Sequence, residues 1–341
     1  MSLILFNFES NKNSQALAFA LDWVNEIAKN VDKLYVVSLR CGEYEVGENV
    51  EVFCLGQDKK NKIETIWSIF KTLTLIHKKD KNIQGYFVHM AHYFVPFIYP
   101  FSLFFRKKII LWYAHKSTPL TLKLAVLLVD KIVSISSKSM LLKTDKFQAI
   151  GHGIDTTKRF IFKKKFSKDI KNIVTVGRIS KVKNTYEIVK AFLDLKRDDL
   201  LLYIVGDILG EDDKRYLQKI QQIISSSSQN KVVFTGKIPF HEIKGIYEEV
   251  DLAINLGDGA LDKAIIEPMA MGIPVITSND SAKEIFSHLD GKGVFLTKKE
   301  GVKQTLQKVL EQKNFDRELL RQEIVQNHSL KKLAKRIVDE F

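Results

Sequence analysis

Short apolar runs alternate with stretches of helical spacing along most of the chain. LILFNF near the start has a buried-strand pattern, and the apolar positions from Ala16 to Ala28 recur as a core-facing helix requires. KLYVVSLR, VEVFCLG, IILWYA, KIVSIS and FQAIGHGID follow as further strands, with helical stretches between them. At NIVTVGRI the rhythm restarts. TYEIVKAFLDL and KRYLQKIQQIISSSS read as helices, and LLYIVGD, VVFTGKI, DLAINL and IPVITS as strands. Strands alternating with helices predict parallel sheets. Between the two series, GHGIDTTKRFIFKKKFSKDIKN is polar, basic and without period, which marks a connection. The organisation expected is a Rossmann-like domain over residues 1–154, a second over residues 155–325, and a helix within residues 326–341 that packs back on the first. No internal sequence repeat accompanies this architectural one.

Composition agrees with two cores. A chain of 341 residues exceeds what one core organises, and 45% apolar with 27% charged residues are globular values. The opening MSLILFNFESNKNSQ has no basic region, and its apolar run is too short for a leader or a membrane span; a cytoplasmic location is expected. Cys41 and Cys54 lie on or beside predicted strands without C-x-x-C spacing, so buried free thiols are expected rather than metal or redox chemistry.

The net charge of +13 is spread unevenly. Residues 1–58 carry four Lys/Arg against nine Asp/Glu, whereas residues 59–150 carry sixteen against four. In that second stretch KKNK, HKKDK and RKK interleave with FVPFIYPFSLFF, a pattern suited to an anionic membrane surface. RNA-binding signatures are missing, and no nucleic-acid partner is expected. Pro96 and Pro100 interrupt an apolar stretch too short to span a bilayer, so any membrane contact is peripheral. The plainer alternative makes Phe94 to Phe105 core and the lysines solvated surface.

Candidate chemistry concentrates in the second half. In VTVGRISKVKNTYEIVKAF, Gly177 ends a strand, Arg178 follows at once, and Lys183 lies just before a helix. Two cations and a helix N-terminus suit a diphosphate. A dinucleotide fingerprint would place G-x-G-x-x-G here, and it is absent. Further on come IVGD, with Gly206 and Asp207, then FTGKIP, with Lys237 and Ile238, and EPMAMGIPV, which begins at Glu267.

These segments together resemble the family 4 glycosyltransferases of GT-B fold, over nearly all of residues 150–280. Gly177, Arg178, Lys183, Ala191 and Phe192 match the family's G-R-(x)4-K-(x)n-A-F stretch, with Asn184 where a glycine often follows the lysine. Glu267 resembles the glutamate that hydrogen-bonds the donor ribose hydroxyls, and a carboxylate suits a cis-diol because it accepts two hydrogen bonds. The family's first glutamate falls at Gly259 here; Asp258 is adjacent, and Asp262 with Lys263 gives D-K-A-x-x-E, as in one branch of the family. Either aspartate is a candidate for the missing carboxylate. Backbone N–H groups of Lys263, Ala264 and Ile265 are candidates to hold the donor's sugar and phosphates, against a plain helix start capped by Asp. In the first half the match is looser. His115 in WYAHKSTPL is the better active-site candidate, ahead of His89 and His92 in FVHMAHYF. FESNKNSQ lacks paired glycines, leaving Asn11 and Ser14 as substitutes or as an exposed turn.

The resemblance implies an α/β chain of GT-B fold, two Rossmann-like domains facing each other across a cleft. It further implies a retaining transfer from a nucleotide-sugar donor to a glycan, lipid or lipid-linked acceptor, with Arg178, Lys183 and His115 at the chemistry. Since two cations offset the leaving diphosphate, neither a metal nor a separate cofactor is expected. Two rivals remain: a non-catalytic, membrane-associated binding subunit of the same fold, and a sugar-nucleotide epimerase.

Overall fold

A computed structural model describes residues 1–14, 17–56, 61–227 and 231–341. The chain forms two compact units, Met1–Gly153 with Leu330–Phe341, and Ile154–Ser329. Residues 326–329 thus belong with the second unit rather than with the final helix. Ile154 donates its backbone N–H to His328 and pairs with Ser329, which ties the ends of that unit together.

The first unit runs β1 (Ser2–Ser10), α1 (Phe19–Ala28), β2 (Lys33–Cys41), β3 (Val50–Cys54), α2 (Lys62–Lys79), β4 (Ile83–His89), α3 (Val95–Phe105), β5 (Lys108–Trp112), α4 (Leu120–Leu128), β6 (Lys131–Ser134) and β7 (Phe147–Ala149). Its seven strands are all parallel, in the order β3-β2-β1-β4-β5-β6-β7. Because side chains alternate across a strand, Ile4, Phe6, Val37, Tyr86 and Val88 face one core, which α2, α3 and α4 cover. Ala16, part of the expected first helix, lies outside the described residues. The cysteines depart from expectation. Cys41 and Cys54 sit at the C-terminal ends of the paired strands β2 and β3, with Cα atoms 5.9 Å apart, and they form a disulfide. Neither is buried, so they are not core thiols.

The second unit runs β8 (Asn172–Val176), α5 (Thr185–Leu193), β9 (Leu201–Val205), α6 (Glu211–Ser225), β10 (Val232–Gly236), α7 (Ile243–Glu249), β11 (Leu252–Asn255), α8 (Lys263–Ala270), β12 (Val275–Thr277), α9 (Asp280–Phe286), β13 (Val294–Leu296), α10 (Val302–Glu311) and α11 (Arg317–Asn327). The order β10-β9-β8-β11-β12-β13 is again parallel throughout and reverses direction between β8 and β11. In such sheets ligands bind outside the carboxyl ends of the strands at that reversal. The chain then re-enters the first unit as α12 (Leu330–Val338), which packs against α1 through buried Leu333, Ala334, Ile337 and Val338.

The Phe-rich segment divides. Phe94, Val95 and Ile98 are buried in the core, as the plainer reading expects, while Leu103 and Phe104 at the end of α3 are exposed. Pro96 falls in the first turn of α3, where its missing N–H costs no hydrogen bond. No helix of the described residues is long and apolar enough to cross a membrane.

Candidate functional site at the strand reversal of the second unit

The ends of β8, β9 and β10 are tied by backbone bonds. Gly177 N–H donates to Val205, Ile179 to Asp207, and Gly206 to Gly236, at 2.9–3.0 Å. Glycine is required where they converge: at Gly206, φ is +141° and a Cβ would meet the Gly177 carbonyl oxygen at 2.0 Å. Lys183 lies across this floor. Cβ atoms on Gly177 or Gly257 would come within 3.3 Å and 3.1 Å of its methylenes.

Asn184, where the family often has glycine, adopts φ +53°, the left-handed region that asparagine tolerates. Its side chain donates to the Leu256 carbonyl at 2.6 Å, fixing the β8–α5 turn to the end of β11. A recess lined by Gly177, Arg178, Lys183, Thr185 and Asn255 opens at this point.

Two ion pairs flank the recess. The Arg178 guanidinium is half exposed and lies 3.5 Å from Asp213 in the first turn of α6. Lys183 is paired with Asp262, whose same oxygen accepts from Asn255 at 3.1 Å, while the other accepts from Ala264 N–H at 3.3 Å. Burial opposes ionisation of Asp262, but the Lys183 ammonium and these hydrogen bonds outweigh it and hold the carboxyl below its usual range. Asp262 is therefore both the cap of α8 and the counter-ion of Lys183. Asp258 is exposed and engaged by Lys299 at 2.6 Å. At Gly259 φ is +139°, a conformation closed to an ordinary glutamate.

The expected helix-start site needs correction. Ala264 N–H goes to the Asp262 side chain, and Ile265 N–H donates to the Asp262 carbonyl at 3.0 Å, so both amides are committed to the cap. Glu267 lies in the second turn of α8, which starts at Lys263. It is buried, and its Oε2 accepts the Tyr247 hydroxyl at 3.1 Å. Burial pushes its carboxyl up to about 7, against the opposing pull of the Lys263 ammonium and the Tyr247 hydroxyl. Lys237 is exposed and Ile238 half-buried in the turn after β10, where Phe240 lies under both Arg159, at 4.4 Å, and Lys263, at 5.6 Å.

The remaining candidates belong to the first unit. His115 is exposed beyond the C-terminal end of β5, and its Nδ1 accepts Ser117 N–H at 2.9 Å. His89 is buried and stacked on Trp23 at 4.5 Å, a packing role. His92 bonds Thr121 Oγ1 at 3.0 Å, and burial lowers its pKa. Asn11 and Ser14 both hydrogen-bond the Glu9 carboxylate and shape their own turn. Sequence reasoning missed Asn255, Asn279 and Tyr247. Asn255 was accessible from its place at the end of DLAINL. Asn279, which donates to the Gly257 and Ala260 carbonyls at 3.0 and 3.2 Å, carries no local signal of that reach.

The model of the family described as glycosyl transferases group 1 matches residues 156–328. A curated relative, an uncharacterized glycosyltransferase of Methanocaldococcus jannaschii, is 29% identical over 182 residues; the match covers 51% of this chain and 43% of the relative. The chain thus spans less than half the length of that protein. Among solved structures, a glycosyltransferase from Rickettsia africae superposes with TM-score 0.76 at 17% identity, over 99% of this chain and 97% of the other. HepE of Anabaena, crystallised with UDP and glucose, superposes with TM-score 0.75 at 16% identity, over 99% and 98%. These likenesses establish the fold as that of GT-B glycosyltransferases. With half of its residues matched, including every element around the strand reversal, the chain belongs to the group 1 glycosyltransferases.

Proposed function

We propose that the protein is a retaining glycosyltransferase that binds a nucleoside-diphosphate sugar, of the class of the UDP-glucose with which HepE has also been crystallised, in its second unit. The observation that carries this reading is the pair Arg178 and Lys183 at the end of β8, beside the strand reversal and over a glycine floor. Negative charge grows on the diphosphate as its bond to the anomeric carbon breaks. Two fixed cations stabilise that charge in the transition state more than in the ground state. They perform the task a divalent cation would, and the reaction is read as metal-independent. Glu267 takes the ribose hydroxyls, the turn at Lys237 and Ile238 faces the nucleobase, and His115 lies toward the acceptor.

The acceptor is read as a glycan or lipid-linked saccharide, with the first unit docked peripherally on an anionic membrane. Support comes from exposed apolar side chains on helices that pack side by side: Trp67 on α2, Leu103 and Phe104 on α3, and Leu120, Leu124 and Leu127 on α4. Lys71, Arg106, Lys107 and Lys123 accompany them. Amphipathic surfaces of this composition bind the headgroup boundary.

The test of the reaction is release of UDP from a panel of UDP-sugars in the presence of a chelator, with and without lipid-linked acceptors. Slow hydrolysis without acceptor, accelerated by one acceptor, is expected. Binding of UDP with no turnover on any donor would establish the binding-subunit alternative, and a new sugar nucleotide formed without acceptor would establish the epimerase.

A further inference from the structure

We propose that Tyr247 is a positioning residue for the donor: its hydroxyl holds Oε2 of Glu267 and orients the carboxylate toward the ribose diol. The inference rests on the reading that Glu267 meets the ribose. Tyr247 is completely buried on α7, and Glu267 is buried on α8. Their 3.1 Å hydrogen bond joins two helices, and Tyr247 is the one hydrogen-bond donor to this carboxylate among the described residues. A carboxylate offers about four lone-pair positions, so one bond from Tyr247 leaves enough for a diol.

The surroundings explain why the bond matters. Burial raises the Tyr247 hydroxyl well above its usual pKa, so it stays protonated and donates throughout the accessible range. The groups facing Glu267 are Lys263 on its own helix, Asp262 at the helix cap, Tyr247 from α7 and Arg159 from the segment before β8. Lys263, Arg159 and Tyr247 favour the carboxylate, whereas Asp262 and burial oppose it. With its pKa raised to about 7, the carboxylate is close to balance at neutral pH. Removing one hydrogen bond to the charged form tips that balance toward the acid.

Tyr247→Phe keeps the ring that packs 6.3 Å from Phe160 and deletes only the hydroxyl. The experiment is calorimetric binding of UDP and of 2′,3′-dideoxy-UDP between about pH 5.5 and pH 8.5, a range that brackets the shifted carboxyl. The dideoxy analogue carries the same phosphates, so their own titration cancels in the comparison. For the unaltered protein, the advantage of UDP over the analogue is expected to grow with pH through a midpoint near 7. In Tyr247→Phe the midpoint should rise by about one unit, cutting that advantage about fivefold at neutral pH and restoring it in alkali.

An unchanged midpoint and affinity would reduce Tyr247 to a packing residue and overturn the proposal. Equal binding of UDP and the analogue by the unaltered protein would instead remove the ribose reading on which it rests. The comparison is repeated with Glu267→Gln alone and with Tyr247→Phe added to it, at a temperature where thermal unfolding shows every variant folded. If the hydroxyl acts through the carboxylate charge, deleting it there changes the UDP advantage little at any pH. An equal loss in both backgrounds refutes the proposal.

Discussion

Gly206 has no room for a side chain, because any Cβ would collide with the Gly177 carbonyl while the backbone holds φ +141°. Gly206→Ala is therefore expected to cost about 2–4 kcal/mol, from strain and overpacking together, and to impair UDP binding. Gly210→Ala is the control: φ is +87° there too, but the space is open, so only the backbone strain is felt. Denaturant unfolding of both variants separates the terms, and equal losses would show that the close approach is unimportant. Arg178→Ala and Lys183→Ala should each lower kcat/KM by an amount equivalent to about 2–4 kcal/mol. A double replacement that leaves both nucleotide affinity and turnover intact would take these cations out of the site. The sequence made the placement of Arg178 and Lys183 legible, since a strand end followed by a helix is a local pattern, whereas the burial of Glu267 in the second turn of α8 was not. Tyr247 and Asn279 were not legible, because each acts on a residue about twenty positions away, through a partner on another element.

Helices and strands were read from periodicity, which failed where an element is short or its surroundings decide. Val294–Leu296 is a three-residue strand, too short for alternation to register. In α3, prolines and aromatics on all sides hide the helical period, and packing on β4 and β5 supplies what propensity does not. His77, in the last turn of α2, is buried, stacks on Phe105 at 3.8 Å and shares a 2.7 Å hydrogen bond with the Tyr86 hydroxyl. Burial, with Lys81 and Lys107 nearby, lowers its pKa from 6.5 to about 4. The unfolded chain binds this proton first, so stability is unaffected above pH 6.5, falls between there and about 4, and levels off below. Urea unfolding of the unaltered protein and of His77→Phe/Tyr86→Phe, which removes the titrating ring without stranding the Tyr86 hydroxyl, should differ in slope over that window. Parallel pH profiles would show that His77 does not control this unit.

Across the whole molecule, charge and exposed apolar surface were only partly visible in advance. The basic excess of residues 59–150 was countable, but which aromatics stay exposed depends on the three helices that pack together. Phe94 turned inward, and Trp67, Leu120 and Leu127, outside the Phe-rich segment, turned outward. Co-sedimentation with anionic vesicles should be strong at low salt and weak at high salt, since each basic residue near such a surface adds on the order of 1 kcal/mol. Arg106, Lys107 and Lys108 changed together to Glu should abolish it, and Trp67→Ser with Phe104→Ser should weaken it at every salt concentration. Binding indifferent to salt and to both sets of changes would favour a soluble acceptor. The return of α12 to the first unit has a different kind of consequence. Arg336 bonds the Ile150 carbonyl at 2.9 Å, Glu340 pairs with Lys131, and the Phe341 ring fills the space beside Gly85. During synthesis, the ribosome completes the contiguous second unit before it delivers the piece that closes the first. The half made earliest is then finished last, and it must wait with the α1 surface uncovered. A chain halted after residue 329 should therefore give protease-resistant fragments from its later half and a readily digested earlier half, the reverse of the order of translation.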